Sequence, residues 1–321
     1  MKLAEWWIII LAFVLDLIFK DIELWPHPVR AIGWILNELE RIGRTQGVVS
    51  LRIWGALSLF FVCMGVGSVI YWMIGLPVLG ILFKVYFSYA GLSLGGLLEK
   101  GREIVDPLRE GRIEEARERL QYIVSRDTSG MDEVQISTSL AETLSENFND
   151  GFVAPLFYLL LGGPVFLWIY KAVSTMDSMW GYRTPRWRDI GWAGAKMDDV
   201  FGYLPARISF FMIFLGRCVE KRSTTPLSYV GPALVDASSM ESPNAGWPMA
   251  AVAWCFSSTM GGRWRYFGEE KIKPYLGPTS PIIPWSIDRV EKLIRFLLCC
   301  GVMTVLFFCS SVVLFRSNRL L

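Results

Sequence analysis

Residues 51–72 form a run of 22 residues that carries a single charge, Arg52. A helix needs about 20 apolar residues to cross the hydrocarbon of a bilayer, so this run reads as a membrane span. A turn follows at 75–77, and residues 78–98 return with one charge, Lys84, read as snorkelling or facing a pore rather than lipid. Residues 152–170, 201–218 and 293–315 are apolar again. Residues 6–19 and 249–260 are apolar but shorter. A hydrophobic fraction of 53% and a mean hydropathy of +0.38 agree with this pattern. The expectation is an all-α, polytopic integral membrane protein with roughly five to seven membrane segments, by the usual length criterion. It is read as a single membrane domain over residues 1–321, with loops at 99–151 and 171–200 that carry helical stretches and a Pro/Gly-rich loop at 261–290.

Local chemistry refines that outline. Residues 6–19 lack a strongly basic start and a small-residue cleavage site and hold Asp16, so they read as a retained first span rather than a signal peptide. Residues 31–44 place Ile32, Ile35, Leu36 and Leu39 on one side, the pattern of an amphipathic helix on a membrane surface. Residues 106–126 read as helix, and Asp127–Thr128–Ser129 as a stop and new N-cap. Within 152–170, Pro155 and Gly162–Gly163–Pro164 predict a broken or re-entrant segment, because proline removes a helix donor and glycine frees the backbone. The turn at 71–77 has no Lys or Arg, whereas its flanking loops hold four (Lys20, Arg30, Arg41, Arg44) and seven (Lys100, Arg102, Arg109, Arg112, Arg117, Arg119, Arg126). The positive-inside rule puts those loops in the cytoplasm.

Several function classes fall away. A net charge of +2 gives no general case for nucleic-acid binding. Six cysteines without a C-x-x-C pair and a single histidine, His27, exclude the usual Cys/His zinc arrangements. Neither a Walker-type phosphate loop nor a G-x-G-x-x-G motif is present, and no Ser-His-Asp or Cys-His pair is indicated.

Carboxylates stand out instead. Glu142, Glu146 and Asp150 are spaced by four, which puts them on one face of a helix, where like charges repel unless a cation sits on them. Asp106, Asp177 and the pair Asp198–Asp199 are the other dense acidic positions. Oxygen donors with one histidine favour a hard cation, magnesium first. The plain alternative is a set of solvated helix faces paired with nearby cations. Arg109, Arg126, Lys171, Lys196 and Arg207 recur close by in sequence and suit phosphate or carboxylate binding. Arg207 lies inside an apolar run beside Pro205, where a charge without a partner is costly. His27 sits between two prolines, which present its ring on an extended backbone, and Asn147 and Asn244 suit orienting a carboxylate or amide.

Those residues fall in motifs. WPHPVR (25–30), RDTS (126–129), the E-x-x-x-E-N-x-x-D-G pattern from Glu142 to Gly151 and APLFY (154–158) resemble the CobD/CbiB membrane proteins of cobalamin biosynthesis. So do KAVSTMDSMWGY (171–182), KMDDVFGYLPAR (196–207), SPNAGW (242–247) and YFG (266–268), all in the family's order. The resemblance implies a ligase of the adenosylcobinamide-phosphate synthase type. Such an enzyme joins the corrinoid adenosylcobyric acid to aminopropanol or its phosphate, an amino-alcohol substrate, with ATP and Mg2+. On that reading Glu146, Asp150, Asp177 and Asp198 bind metal. Asp150, Asp177, Asp199, Asn147 and His27 serve catalysis, and Arg126, Lys171, Arg207, Asn244 and Lys196 bind substrate. The expected setting is the cell inner membrane, multi-pass, with the active face cytoplasmic and the lipid bilayer as a further partner.

Several positions depart from the family pattern. Phe148–Asn149 stands where Thr-Val is usual, Ser174 where Asn is usual and Met249 where an acid is common; the G-D-P before W-P-H-P is altered at 20–22. With the tryptophans 168, 180, 187 and 192, these changes motivate an alternative: a non-catalytic relative serving as a structural or assembly subunit of a membrane complex, or as a homo-oligomer.

Overall fold

The computed structural model describes residues 6–20, 27–47, 50–266, 268–280 and 283–317. Trp25 and Pro26 of the WPHPVR motif, Phe267 of YFG and the altered positions 21–22 lie outside the described residues. The helices are α1 Trp6–Phe19, α2 Pro28–Gln46, α3 Leu51–Ile74, α4 Gly80–Ala90, α5 Leu94–Arg109 and α6 Ile113–Gln121. They continue as α7 Glu133–Asn147, α8 Ala154–Trp180, α9 Trp192–Lys221, α10 Val230–Ser238, α11 Gly246–Phe256 and α12 Ile287–Ser317. A π-helical turn, Phe148–Val153, joins α7 to α8, and a hairpin pairs β1 Met260–Tyr266 with β2 Glu269–Leu276. The protein is therefore all-α apart from this hairpin, and polytopic.

Among the described residues, five helical stretches are long and apolar enough to cross a membrane: Leu51–Ile74, Gly80–Arg109, Glu133–Trp180, Trp192–Lys221 and Ile287–Ser311. Helix α1, with 14 residues, is shorter than a straight crossing requires. Contacts divide the chain into two compact units: Met1–Ser93, Ala154–Gly202 and Val305–Leu321 in the first, Leu94–Val153 and Tyr203–Thr304 in the second.

In the first unit α3 packs on α8 and α4, α1 on α4, and α2 on α8 and α3. Helix α2 starts cleanly because His27 caps it and Pro28 occupies its first turn, where a missing N–H costs nothing; it ends at Gly47 in the left-handed region. Its buried side is Ile32 and Leu36, while Ile35, expected there, is 37% exposed. A step of three from Ile32 turns Ile35 about 60° short of a full circle, and the packed ridge here follows i, i+4 instead. Helix α8 is broken at Gly162 and Gly163, the latter at φ 66, just before Pro164, as the sequence predicted. Only residues 181–191 separate α8 from α9, so the 171–200 stretch is mostly helix. That connection is fastened to α2: Arg186 donates to Glu40, Arg44 donates to the Arg186 carbonyl, and both guanidinium groups lie over Trp187.

The second unit gathers α5, α6, α7, the π-turn, α10, α11 and the hairpin. Residues 106–126 are two helices, because Gly111 at φ 76 ends the first and Arg112 opens the second. The N-cap of α7 is Asp132, which forms a capping box with Gln135. Asp127 instead accepts from the Ser129 amide and hydroxyl in a local turn. Residues 261–290, expected as a loop, contain the hairpin. Its strand β1 alternates, with Trp264 buried and Arg263 and Arg265 outward, and Gly261 and Gly262 at positive φ accommodate the bulge between Met260 and Gly262.

Candidate functional site

The expected site residues divide between the units. His27, Lys171, Asp177, Lys196, Asp198 and Asp199 belong to the first; Arg126, Glu146, Asn147, Asp150, Arg207 and Asn244 belong to the second.

In the second unit the carboxylate stripe does not act as one face. Glu142 is buried at 1% exposure and its two oxygens are both taken: Arg126 Nη2 donates to Oε2 at 2.8 Å and the Gly261 amide to Oε1 at 2.8 Å. Arg126, itself 5% exposed, lies 4.4 Å from the Trp264 ring centre, and its Nη1 is buried without a hydrogen-bond partner among the described residues. Arg126 also bridges Tyr266, and the Asp127 amide donates to the Arg265 carbonyl, so this pair anchors the hairpin onto α7. Glu142 is thereby withdrawn from the acidic face, and Arg126 is spent on a buried protein contact rather than presented to solvent.

Asp150 lies on the π-turn, whose i, i+5 bonding changes the rotation per residue and takes it out of strict register with Glu146. Asn149 holds it: Nδ2 donates to Asp150 Oδ1 at 2.7 Å, and Asn149 Oδ1 accepts from Ser209 Oγ at 2.8 Å. Asn149 is 1% exposed, so the residue that departs from the usual motif acts as a buried strut from α9 to Asp150. Asn147 instead turns back on its own helix, donating to the Thr143 carbonyl at 3.0 Å.

Arg207 and Asn244 come together although 37 residues apart. Arg207 Nη1 donates to the Tyr203 carbonyl at 2.9 Å, the Pro243 carbonyl at 3.0 Å and Asn244 Oδ1 at 3.1 Å. Its guanidinium carbon lies 3.6 Å from the Tyr203 ring centre and 4.1 Å from that of Trp247. Stacking between two rings fixes the plane of the fork, which suits it to a planar carboxylate or a phosphate. Met249, in the motif's usual acidic position, is 1% exposed and packs as core.

In the first unit Asp177 depends on a close approach. A Cβ on Gly181 would fall 2.1 Å from Asp177 Oδ1, so only glycine leaves room for this carboxylate. Lys196 pairs with Asp199 across 3.5 Å at the surface. The His27 ring uses both nitrogens: Nδ1 accepts from the Val29 amide at 3.3 Å, which assigns the proton to Nε2, 2.9 Å from the Ala90 carbonyl. The ring thus ties the start of α2 to the end of α4. It also lines a cavity of about 250 Å3 with Lys20, Arg30, Tyr86, Ser93 and Lys171. Of these, only His27 and Lys171 were expected as site residues from sequence; Arg30 ends the WPHPVR motif, Lys20, Tyr86 and Ser93 lie outside the quoted motifs, and no spacing betrays their meeting.

Among the described residues, no group of three or more His, Cys, Asp or Glu is placed to hold a metal ion. What the units offer is one or two carboxylates at a time.

A family model described as CobD/Cbib protein matches residues 9–296 of the chain. The chain belongs to the CobD/CbiB family. Within the family it is 35% identical over 318 residues to the cobalamin biosynthesis protein CbiB of Salmonella choleraesuis (strain SC-B67), covering 97% of this chain and 98% of that one. It is 34% identical over 312 residues to the cobalamin biosynthesis protein CobD of Listeria monocytogenes serovar 1/2a, covering 93% and 96%. It is 36% identical over 304 residues to the CbiB of Salmonella typhimurium, covering 92% and 93%. No solved structure matches this CobD/CbiB-family chain.

Proposed function

We propose that this protein acts in cobalamin biosynthesis as an amide-forming synthase. It would join the propionate carboxylate of adenosylcobyric acid to the amine of aminopropanol or its phosphate. The observation that carries this reading is the Arg207 fork, stacked between Tyr203 and Trp247 and pinned by Asn244. It is a rigid cationic seat built from two separate family motifs.

The chemistry defines what the residues must do. A carboxylate is a poor acceptor for an amine until an oxygen leaves easily. A phosphoryl group passes from ATP to the carboxylate oxygen, and ADP departs. The amine then attacks the carbonyl carbon, the bond to the phosphate oxygen breaks, and the nitrogen loses a proton. Water must be kept out while the activated group waits, which favours a site at helical, membrane-bound elements. In the second unit Arg207, with Asn244, would hold the carboxylate or its phosphate; in the first unit, taken by itself, Lys171 and Lys196 are the proposed anion contacts. Asp177 and Asp199 are the proposed proton acceptors.

Mg2+ usually binds through one or two carboxylates together with phosphate oxygens and water, rather than in an all-protein cage. The donor set here suits that mode. Within the second unit Glu146 and Asp150, and separately within the first unit Asp177 and Asp198, are the carboxylate pairs proposed to suit such an ion, which would neutralise charge on the phosphates. By the positive-inside rule these residues would work at the cytoplasmic face of the inner membrane.

Complementation tests the reading. A strain lacking the synthase should regain cobalamin-dependent growth with the wild-type chain and not with Asp150→Asn expressed to the same level in the membrane. Failure of the wild type despite stable membrane expression would instead favour a structural subunit.

A further inference from the structure

Asp106 and Arg109 take no part in the proposed chemistry. Both lie near the end of α5, beside the first turns of α12 in the second unit. Arg109 ties the two helices together, donating to Glu291 at 2.7 Å and to Asp288 at 3.4 Å. Next to that tie is a cavity of about 230 Å3 lined by Arg102, Val105, Asp106, Glu291, Ile294 and Arg295. Val105 and Ile294 are buried and give it an apolar side. The charged residues are held apart. Arg102 and Asp106 are four apart on α5, and Glu291 and Arg295 four apart on α12, the spacing at which opposite charges meet on a helix. Neither pair is closed among the described residues. Glu291 turns to Arg109 instead, and Arg102, Asp106 and Arg295 make no ion pair or side-chain hydrogen bond. The cavity therefore presents two guanidinium groups and a carboxylate that no protein group occupies.

We propose that this cavity binds the phosphoethanolamine headgroup of a membrane lipid, with Arg102 and Arg295 on the phosphate and Asp106 on the ammonium. Arginine forks match phosphate oxygens, and an ammonium brings three N–H donors to a carboxylate. A purely anionic headgroup would meet the carboxylates of Asp106 and Glu291 with nothing to offset them, whereas a zwitterion satisfies both signs. Position selects a lipid as the source. Arg295 stands two residues inside the apolar run 293–315, and Arg102 four residues beyond the end of 78–98, so both lie where a span gives way to headgroups. Val302, seven residues on from Arg295 and 41% exposed, continues that face of α12 toward the hydrocarbon, where an acyl chain would run. The volume is below the roughly 300–1,000 Å3 usual for drug-sized ligands, so it takes a headgroup and leaves the chains outside. The inference concerns a lipid of the surrounding bilayer and does not depend on amide synthesis.

The test uses the full chain in detergent, titrated with phosphatidylethanolamine, phosphatidylcholine or phosphatidylglycerol of identical acyl chains and read by native mass spectrometry. The first should be retained about tenfold more tightly than the other two. Arg102→Gln and Arg295→Gln should each weaken its retention tenfold or more, and Lys292→Gln, one turn away and outside the cavity, should not. Asp106→Asn should abolish the preference for ethanolamine over choline while leaving phosphatidylcholine retention unchanged, a split that a merely structural role would not produce. Phenylglyoxal labelling of the wild-type protein in nanodiscs covers any variant that fails to fold. Phosphatidylethanolamine nanodiscs should protect Arg102 and Arg295 relative to phosphatidylcholine ones, with or without added protection by soluble O-phosphoethanolamine. Equal retention of the ethanolamine and choline lipids, unchanged retention in both arginine variants, or protection by the soluble ester alone would overturn the proposal.

Discussion

Replacing Arg126 by methionine should loosen the hairpin before it affects anything else. The substitution keeps most of the side-chain length and removes the charge that Glu142 leans on at 2.8 Å. Glu142 would remain buried with only the Gly261 amide as partner. Breaking a buried ion pair by removing one member costs about 3–5 kcal/mol, and the lost stacking over Trp264 adds up to ~2 kcal/mol. Against this, the wild-type Nη1 is buried without a partner, and removing it relieves about 1–3 kcal/mol. The balance is a loss of about 3 kcal/mol, or roughly a hundredfold rise in local opening. Hydrogen exchange read by mass spectrometry should show that rise at Gly261–Leu276 and at the Asp127 amide, which donates to Arg265. Arg126→Met with Glu142→Leu should be less damaged than the sum of the two single variants, by more than about 1 kcal/mol. Exchange unchanged in Arg126→Met, or a strictly additive double variant, would refute the anchoring role and return Arg126 to the substrate-binding set.

Other outcomes follow from the same geometry. Asn149→Ala removes a hydrogen bond to a charged group, worth about 1.5–3 kcal/mol, so amide formation should fall tenfold or more while the circular-dichroism spectrum stays unchanged. Gly181→Ala forces a Cβ to 2.1 Å from Asp177 Oδ1; it should reduce activity as much as Asp177→Asn, and an active Gly181→Ala would show that Asp177 is not positioned by that approach. Burial pushes the Cys255 thiol up to about 12, against a smaller lowering by Arg217, so the folded form keeps it protonated after an unfolded thiol has ionised near 9. Stability attributable to this thiol should be flat below pH 9 and decline above it. Iodoacetamide at pH 8.5 should leave Cys255 unmodified unless the protein is first denatured.

Features with a long, local signature were legible in the sequence: the uncharged runs of α3 and α12, and the break at Gly162–Gly163–Pro164, where composition alone settles the backbone. The hairpin was obscured because its glycines and Pro274 resemble loop chemistry. The signal present was the alternation of RWRY, with Trp264 inward between two outward arginines. The acidic stripe was over-read for a different reason. Helical spacing places Glu142 on a face, but only the fold shows that Arg126 and Gly261 occupy both its oxygens, or that a π-turn shifts Asp150. The Lys20, Arg30 and Lys171 cavity is assembled from three elements distant in sequence, which no pattern along the chain records.

The central claim is amide synthesis, and it can be measured directly. The purified chain in nanodiscs, given adenosylcobyric acid, ATP, Mg2+ and either aminopropanol or its phosphate, should yield the cobinamide amide by mass spectrometry with one ADP per amide formed. Asp150→Asn and Arg207→Lys should remain folded and lose that product by a factor of ten or more. A folded wild-type protein that makes no amide with either amine, or that makes it equally well without Asp150 and Arg207, would contradict the account.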